Sequence, residues 1–159
     1  MKKKSTCSKL FLGEGASEIE HIGGNAVNGL AAKPVIDIMI GLSDFSVADK
    51  PVPKIETLSY KYIKKYENEM PLRRYFVKNL NGVRTHQIHM VEINSEFWRR
   101  HLVFRDYLRQ NPEMANDYAA LKKQLARREW ADVNEYADAK SEFITGIENK
   151  AKKQARRRG

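Results

Sequence analysis

Apolar and polar positions follow strand-like patterns over the first half of the chain. The stretch from Glu18 to Ile22, closed by Gly23 and Gly24, predicts a short strand. The run from Val35 to Ile40 is almost continuously apolar and β-branched, so it also predicts a strand. Asn81-Gly82 separates two further strand-like runs and predicts a hairpin. One stretch between them has helical spacing, at Ile55, Leu58, Tyr62 and Ile63.

The second half of the chain has helical spacing throughout. Ser95 and the pair Asn111-Pro112 are typical helix starts, and about three long helices are expected after them. The first of these helices has a stripe at spacings of four, three and four that predicts a core-facing side: Phe97, His101, Phe104 and Leu108. The order of elements indicates an α+β or mixed α/β fold, with a sheet of about four strands covered by C-terminal helices.

Composition is typical of one globular domain. The chain has 159 residues, of which 42% are hydrophobic and 31% charged. Its single cysteine, Cys7, excludes an intrachain disulfide and a cysteine-based zinc site, and fits a reducing compartment.

The two ends carry much of the net charge of +9. The N-terminus begins with lysines like a signal peptide, but its apolar stretch is only Leu10 to Leu12, and no segment approaches the ~18 apolar residues of a membrane span. We therefore expect a cytoplasmic protein without membrane contact, with a basic segment at 1–17, a globular domain at 18–150 and a basic tail at 151–159. Such a tail either attracts nucleic acid and other polyanions or is simply solvated.

The glycine pair Gly23-Gly24 is the first candidate for chemistry. It precedes a segment with the length of two helical turns, for which Asn25 is a plausible N-cap. Glycines allow close backbone approach to a ligand, and free N–H groups at a helix N-terminus favour phosphate. The alternative is an ordinary tight turn.

Asp37 is the second candidate, because it places a charge inside an apolar strand. Burying an unpaired carboxylate is costly, so we expect a partner or a use. Asp37 could hold a divalent metal such as Mg²⁺ beside a phosphate on the glycine turn. Alternatively it lies near a strand edge and accepts hydrogen bonds from a helix N-terminus.

Four stretches resemble the GrpB family, also named UPF0157, in the same order over residues 18–150. They are IEHIGGNAVNGLAAKPVIDI, HQIHMVE, FWRRHLVFRDYLRQNPEMANDYAALKKQLA and YADAKSEFI. The family is similar in fold to the nucleotidyltransferase superfamily, so the resemblance implies that fold and a nucleotide site. Family members usually have an aromatic-rich strand and a helix before the stretch at Glu18. Only a short segment precedes it here, which suggests a shortened first element and a possible homodimer.

The resemblance assigns roles to individual residues, with two departures. Gly23 matches the first glycine of the family's Gly-Ser turn, whereas Gly24 replaces the serine and offers no hydroxyl. Asp37 matches the first carboxylate of an Asp-x-Asp pair, but Met39 replaces the second. The resemblance thus implies binding of a nucleotide or phosphorylated ligand, and the loss of a metal ligand leaves nucleotidyl transfer open.

Further candidates lie elsewhere in the chain. Glu92 or His89 could add a metal ligand across the sheet, or be hydrogen-bonded strand residues; by alternation they lie on opposite faces. Lys33, just before Pro34, is a candidate phosphate contact. The family's Phe-Arg-Asp-Tyr-Leu-Arg pattern is reproduced at Phe104 to Arg109, so Arg105 and Asp106 are expected either at the site or in ion pairs between elements.

Two lysines each follow a tyrosine at helical spacing. Lys122 comes four residues after Tyr118 and Lys140 four residues after Tyr136, so each pair shares a helix face. The lysines would neutralise a polyphosphate if these faces turn toward the site, or pack with solvated tips if they do not. The leading hypothesis is a nucleotide or phosphoryl-ligand site. The alternatives are a nucleic-acid or polyanion binder acting through basic ends, and a non-catalytic interaction module.

Overall fold

A mixed five-stranded sheet forms the first part of the molecule. The computed structural model describes residues 16–23, 26–27, 35–127 and 133–158. The strands are β1 (Ala16–Ile22), β2 (Ile36–Leu42), β3 (Lys61–Tyr62), β4 (Arg74–Leu80) and β5 (Val83–Glu92). Their order in the sheet is β1-β2-β5-β4-β3, and only β2 and β5 are parallel neighbours. The expected mixed sheet is confirmed, with one more strand than the sequence indicated.

The extra strand arises where the sequence predicted a longer helix. The helix α1 (Val52–Glu56) is only five residues long. Ser59 has a positive φ of 70°, which a right-handed helix cannot accommodate. The chain then pairs briefly with β4 as β3, whose Tyr62 lies opposite Phe76.

The predicted hairpin is present between β4 and β5. Asn81 and Gly82 have φ values of 51° and 78°, the left-handed pair that a tight hairpin turn requires. The hairpin brings β5 to the centre of the sheet, where it lies between β4 and β2.

Each face of the sheet has its own hydrophobic core. One core contains Ile40, Phe76 and Met90 and packs against Ala48 and Ile55. The other face presents Ile22, Met39 and Val91 to Trp98 of the first long helix. Because side chains alternate along a strand, Asp37 shares the helix-covered face with Met39.

Three long helices follow the sheet, as the sequence predicted. They are α2 (Glu96–Gln110), α3 (Pro112–Arg127) and α4 (Val133–Arg158). The predicted start of α2 is correct, because Ser95 Oγ accepts a hydrogen bond from Trp98 N at 3.3 Å. Residues 151–158 continue α4, so the basic tail expected from the sequence is the last part of this helix. In the described part of the chain no helix has the length and apolarity to cross a membrane.

Gly41 lets α2 approach the sheet closely. A Cβ atom at this position would lie 2.6 Å from Trp98 Cζ3 and 2.5 Å from Ile93 Cγ1. The indole ring therefore packs directly over the backbone of β2, and this contact fixes the distance between α2 and the strand that carries Asp37.

Candidate functional site

A cavity of about 370 Å³ lies between the helix-covered face of the sheet and the long helices. The sheet side contributes Gly23, Asp37 and His89, while α2 contributes Phe97 and His101. Lys140 of α4 also lines it. Three candidate residues from the sheet region and one from the last helix thus meet in one space.

Two larger cavities of about 450 and 500 Å³ lie elsewhere. The first is beside Ala26 and Arg109, and the second is between the outer sides of α2 and α4. Neither contains Asp37 or the glycine turn. We therefore take the cavity at Asp37 as the candidate site.

Gly23 and Asp37 are in direct contact. Gly23 has a positive φ of 77°, and a Cβ atom there would lie only 2.8 Å from Asp37 Oδ2. Asp37 is the second residue of β2 and lies opposite Ile22 of β1 and Gln87 of β5. The turn therefore requires glycine both for its conformation and for the space beside the carboxylate.

His89 and Arg73 lie beside the other oxygen of Asp37. His89 Nε2 lies 3.8 Å from Asp37 Oδ1, and Arg73 Nη1 lies 3.4 Å from His89 Nδ1. A guanidinium can only donate, so this contact makes Nδ1 the acceptor and places the ring proton on Nε2. Burial lowers the pKa of Arg73, with tyrosines and Glu69 opposing the shift. His89 thus directs an N–H toward Asp37.

His101 has the opposite tautomer. Its Nδ1 is 2.8 Å from the carbonyl oxygen of Phe97, which can only accept, so Nδ1 carries the proton and Nε2 keeps its lone pair. Burial lowers the pKa of His101 below its usual 6.5, although the bond to Phe97 opposes this shift. The ring is therefore neutral at pH 7 and offers an acceptor to the cavity it lines.

The helical stripe of α2 faces the core, as the sequence predicted, and also faces the cavity. Leu108 is buried in the core formed by the helices, as predicted. Phe97 and Phe104 also pack against the cores, as predicted, and together with His101 they line the cavity. Spacing alone identifies the inward side of a helix but does not tell whether that side meets other side chains or a cavity, so sequence reasoning missed His101.

The donor set does not fit two metal ions. Met39, in the second carboxylate position, is fully buried among apolar side chains, and Gln87 stands opposite Asp37. His89 Nε2 lies 3.8 Å from Asp37 Oδ1, so these two residues together bring only two potential ligand groups. Over the described ranges no group of three or more potential ligands of the His, Cys, Asp or Glu type could hold a metal. Asp37 could hold an ion only together with oxygens from a ligand and water.

Glu92, a candidate metal ligand on the sequence, does not reach Asp37. It lies opposite Leu42, whose side chain belongs to the core on the other face of the sheet. Its Oε2 accepts a hydrogen bond from Phe45 N at 3.0 Å. The alternation along β5 placed Glu92 and His89 on opposite faces, and the register with β2 shows that Asp37 shares the face of His89.

Arg105 and Asp106 form ion pairs and do not line the cavity. Arg105 Nη1 contacts Glu20 Oε2 at 2.7 Å and the carbonyl oxygen of His21 at 3.1 Å, while Nε contacts Asp106 at 2.9 Å. Burial disfavours the charged guanidinium, but the bonds to Glu20 and Asp106 outweigh it and raise the pKa of Arg105. The structure therefore matches the alternative of ion pairs: Arg105 ties α2 to β1, and Asp106 pairs with Arg105 within α2.

Of the three lysines predicted as phosphate contacts, the two in helices lie in different places. Lys122 Nζ is 5.2 Å from the ring centroid of Tyr118, whereas Lys140 lines the cavity. Among the described carboxylates none forms an ion pair with Lys140. Gly24, Asn25 and Lys33 lie outside the described residues.

Comparison with known proteins shows relatives over most of the chain. Residues 2–150 match the family model described as GrpB protein. The UPF0157 protein YqkA of Bacillus subtilis is 39% identical over 145 residues, which cover 91% of this chain but only 41% of that protein. The glutamate-rich protein GrpB of Alkalihalophilus pseudofirmus is 30% identical, over 92% of this chain and 86% of that protein. The chain thus spans less than half the length of one relative and most of another.

Solved structures include a protein of the same name and proteins of similar fold. The crystal structure of the conserved protein GrpB from Enterococcus faecalis has a TM-score of 0.79 and 35% identity, covering 97% of this chain and 91% of that one. Cid1, a protein with RNA terminal uridylyl transferase activity, has a TM-score of 0.50 and 14% identity, covering 80% of this chain and 38% of Cid1. The fold is therefore nucleotidyltransferase-like, as expected. On the family match and the shared length with these relatives, the chain belongs to the GrpB protein family.

Proposed function

We propose that this protein binds a nucleotide or another small phosphorylated molecule in the cavity at Asp37. The observation that carries the proposal is the meeting of a glycine turn, a carboxylate and a lysine in one space of about 370 Å³. This volume is within the roughly 300 to 1,000 Å³ of typical small-molecule sites. We also place the protein in the cytoplasm, on the sequence evidence alone.

The cavity offers two kinds of chemistry to a ligand. Lys140 supplies a positive charge for phosphate oxygens, and Phe97 and Phe104 supply aromatic surface for a flat ring. Asp37 would accept a hydrogen bond from a sugar hydroxyl, or hold one Mg²⁺ together with phosphate oxygens. Asp37 alone cannot position two ions about 4 Å apart, and the other carboxylate that lines the cavity, Glu148, pairs with Arg100 at 3.0 Å. Two-metal nucleotidyl transfer is therefore not part of the proposal.

Thermal unfolding with ATP, with and without Mg²⁺, tests the proposal. Ligand at a hundredfold excess over its Kd should stabilise the wild type by about 2.7 kcal/mol. Lys140→Gln should weaken ATP binding about tenfold, because a phosphate contact is lost. Any Mg²⁺-dependent part of the stabilisation should disappear in Asp37→Asn.

The matched control is Lys123→Gln, because Lys123 is an exposed lysine of α3 that does not line the cavity. It should bind ATP like the wild type. The proposal is wrong if neither ATP nor AMP stabilises the wild type at millimolar concentration. It is also wrong if Lys140→Gln and Lys123→Gln weaken binding equally.

A second candidate function is polyanion binding by the end of α4. Its last two turns expose a series of cations, namely Lys152, Lys153, Arg156, Arg157 and Arg158. Regularly spaced exposed cations attract nucleic acid independently of sequence. This surface lies on a different part of the molecule from Asp37, so both functions can be tested separately.

A further inference from the structure

We propose that the cavity selects nucleobases that present an amino N–H group, and that His101 Nε2 is the acceptor that reads it. The inference rests on the proposed function, because it names the class of ligand for the same site. It concerns recognition only and includes no chemical step.

The orientation of His101 comes from its own helix. Nδ1 donates to the carbonyl oxygen of Phe97 at 2.8 Å, one turn earlier, and the imidazole stacks on the Phe97 ring with centroids 4.0 Å apart. Both contacts hold the ring in place without using Nε2. The free lone pair therefore belongs to a fixed ring and not to a mobile side chain.

The other polar groups of the cavity have different settings from this acceptor. His89 Nε2 lies 3.8 Å from Asp37 Oδ1. Arg100 pairs through Nε with Glu148 at 3.0 Å, and its Nη groups keep further N–H donors. Asp37 and Glu148 bring carboxylate acceptors, whereas His101 Nε2 belongs to a ring that stacks on Phe97 with centroids 4.0 Å apart. A base packed along these aromatic rings would place a donor at its edge against Nε2.

Charges around His101 keep it neutral. Burial lowers its pKa, His89 and Arg100 lower it further, and Glu148 opposes them. The remaining titratable or charged groups that line the same cavity are Asp37 of β2, Tyr118 of α3 and Lys140 of α4. Protonation of Nε2 would turn the acceptor into a donor, so selection for an amino group should weaken as pH falls below the His101 pKa.

AMP and purine riboside 5′-monophosphate form the test pair, because they differ only in the amino group on the purine. We expect calorimetry at pH 7.5 to give AMP about tenfold tighter binding, since one hydrogen bond in a buried site corresponds to roughly that factor. The ratio of the two affinities should decline toward one below pH 6.5. Using the ratio cancels the titration of the phosphate and of groups that both ligands share.

Two substitutions separate recognition from structure. His101→Phe removes the acceptor and should bring the ratio to about one. His101→Gln keeps an acceptor oxygen, so it should retain a preference for AMP that no longer depends on pH. The control His86→Phe changes a histidine on the opposite face of the sheet and should leave the ratio unchanged. If His101→Phe does not fold, the affinity ratio of the two nucleotides still tests the inference. It should depend on pH in the wild type and not in His101→Gln.

The inference is overturned if the wild type binds AMP and purine riboside 5′-monophosphate with equal affinity. It is also overturned if His101→Phe still prefers AMP. Equal affinities that are both reduced by Lys140→Gln would overturn the inference alone and leave the proposed function standing. If neither nucleotide binds the wild type, both are overturned.

Discussion

Two separate requirements make glycine necessary at position 23, one from the backbone conformation and one from the cavity. Its positive φ and its contact with Asp37 Oδ2 both exclude a side chain. We expect Gly23→Ala to lower the free energy of unfolding by about 1 to 3 kcal/mol, from the strained φ and the displaced carboxylate. The substitution should also abolish stabilisation by ATP, which thermal unfolding with and without ligand would measure.

Gly146→Ala is the matched control for this substitution. Gly146 lies in α4, and a Cβ atom there meets nothing within 4 Å. Alanine is favoured over glycine in a helix by up to about 1 kcal/mol, so this variant should be as stable as the wild type or slightly more stable. Equal effects of the two substitutions would contradict the role assigned to Gly23.

The sequence predicts the position of some site residues relative to Asp37 better than that of others. Gly23 and Asp37 could be paired in advance, because the family resemblance connects a glycine turn to the following strand. Glu92 could not be excluded as a partner, since its position relative to Asp37 depends on the register between β5 and β2. His101 was not found, because its value as an acceptor depends on burial and on the carbonyl of Phe97.

At the scale of elements, the contact of α2 with β2 sets the width of the site. It depends on Gly41, where a Cβ atom would lie within 2.6 Å of Trp98 and Ile93. We expect Gly41→Ala to destabilise the protein by about 1 to 3 kcal/mol, because the extra methyl group pushes α2 away from the sheet. Urea denaturation would measure the change.

Gly82→Ala separates steric crowding from backbone strain. Gly82 has a φ of 78° in the exposed hairpin turn, and a Cβ atom there has no neighbour within 4 Å. Its substitution should cost about 1 kcal/mol through conformation alone, and it should leave ATP binding unchanged. If Gly41→Ala also left ATP binding unchanged, the packing of α2 would not control the cavity.

The elements themselves were predictable to different degrees. The hairpin and the start of α2 follow from local signals, Asn81-Gly82 and Ser95, that act within a few residues. The strand β3 was missed because its two residues are extended only through pairing with β4, while their spacing from Ile55 suggests a helix. Local patterns therefore predicted the elements that local interactions stabilise.

At the scale of the whole molecule, several of the positive charges behind the net charge of +9 lie close together at one end of the chain and can be deleted. Deleting residues 152–159 takes away five positive charges at the end of α4 and leaves Ile147 in the core. We expect this truncation to weaken binding of single-stranded RNA and to make its dependence on salt less steep, by up to about 4 in the slope of log K against log salt. Fluorescence anisotropy over a range of salt concentrations would measure it.

ATP binding by the same truncated protein provides the control. It should match the wild type, because none of the deleted residues lines the cavity at Asp37. RNA binding that survives the truncation would rule out the α4 end as the polyanion surface. The fold class was predictable at this scale, because the family resemblance extends over most of the chain.

The helix α2 uses three of its residues in three separate places: Trp98 on the sheet, His101 in the cavity and Arg105 on β1. These contacts all depend on one helical phase, since each added residue rotates the remainder of the helix by about 100°. One residue inserted between Trp98 and Arg105 would therefore turn His101 or Arg105 away from its partners, whereas the same insertion at the exposed Asn81-Gly82 turn would disturb neither. Changes in chain length within α2 should thus be far less tolerated than changes in its exposed side chains.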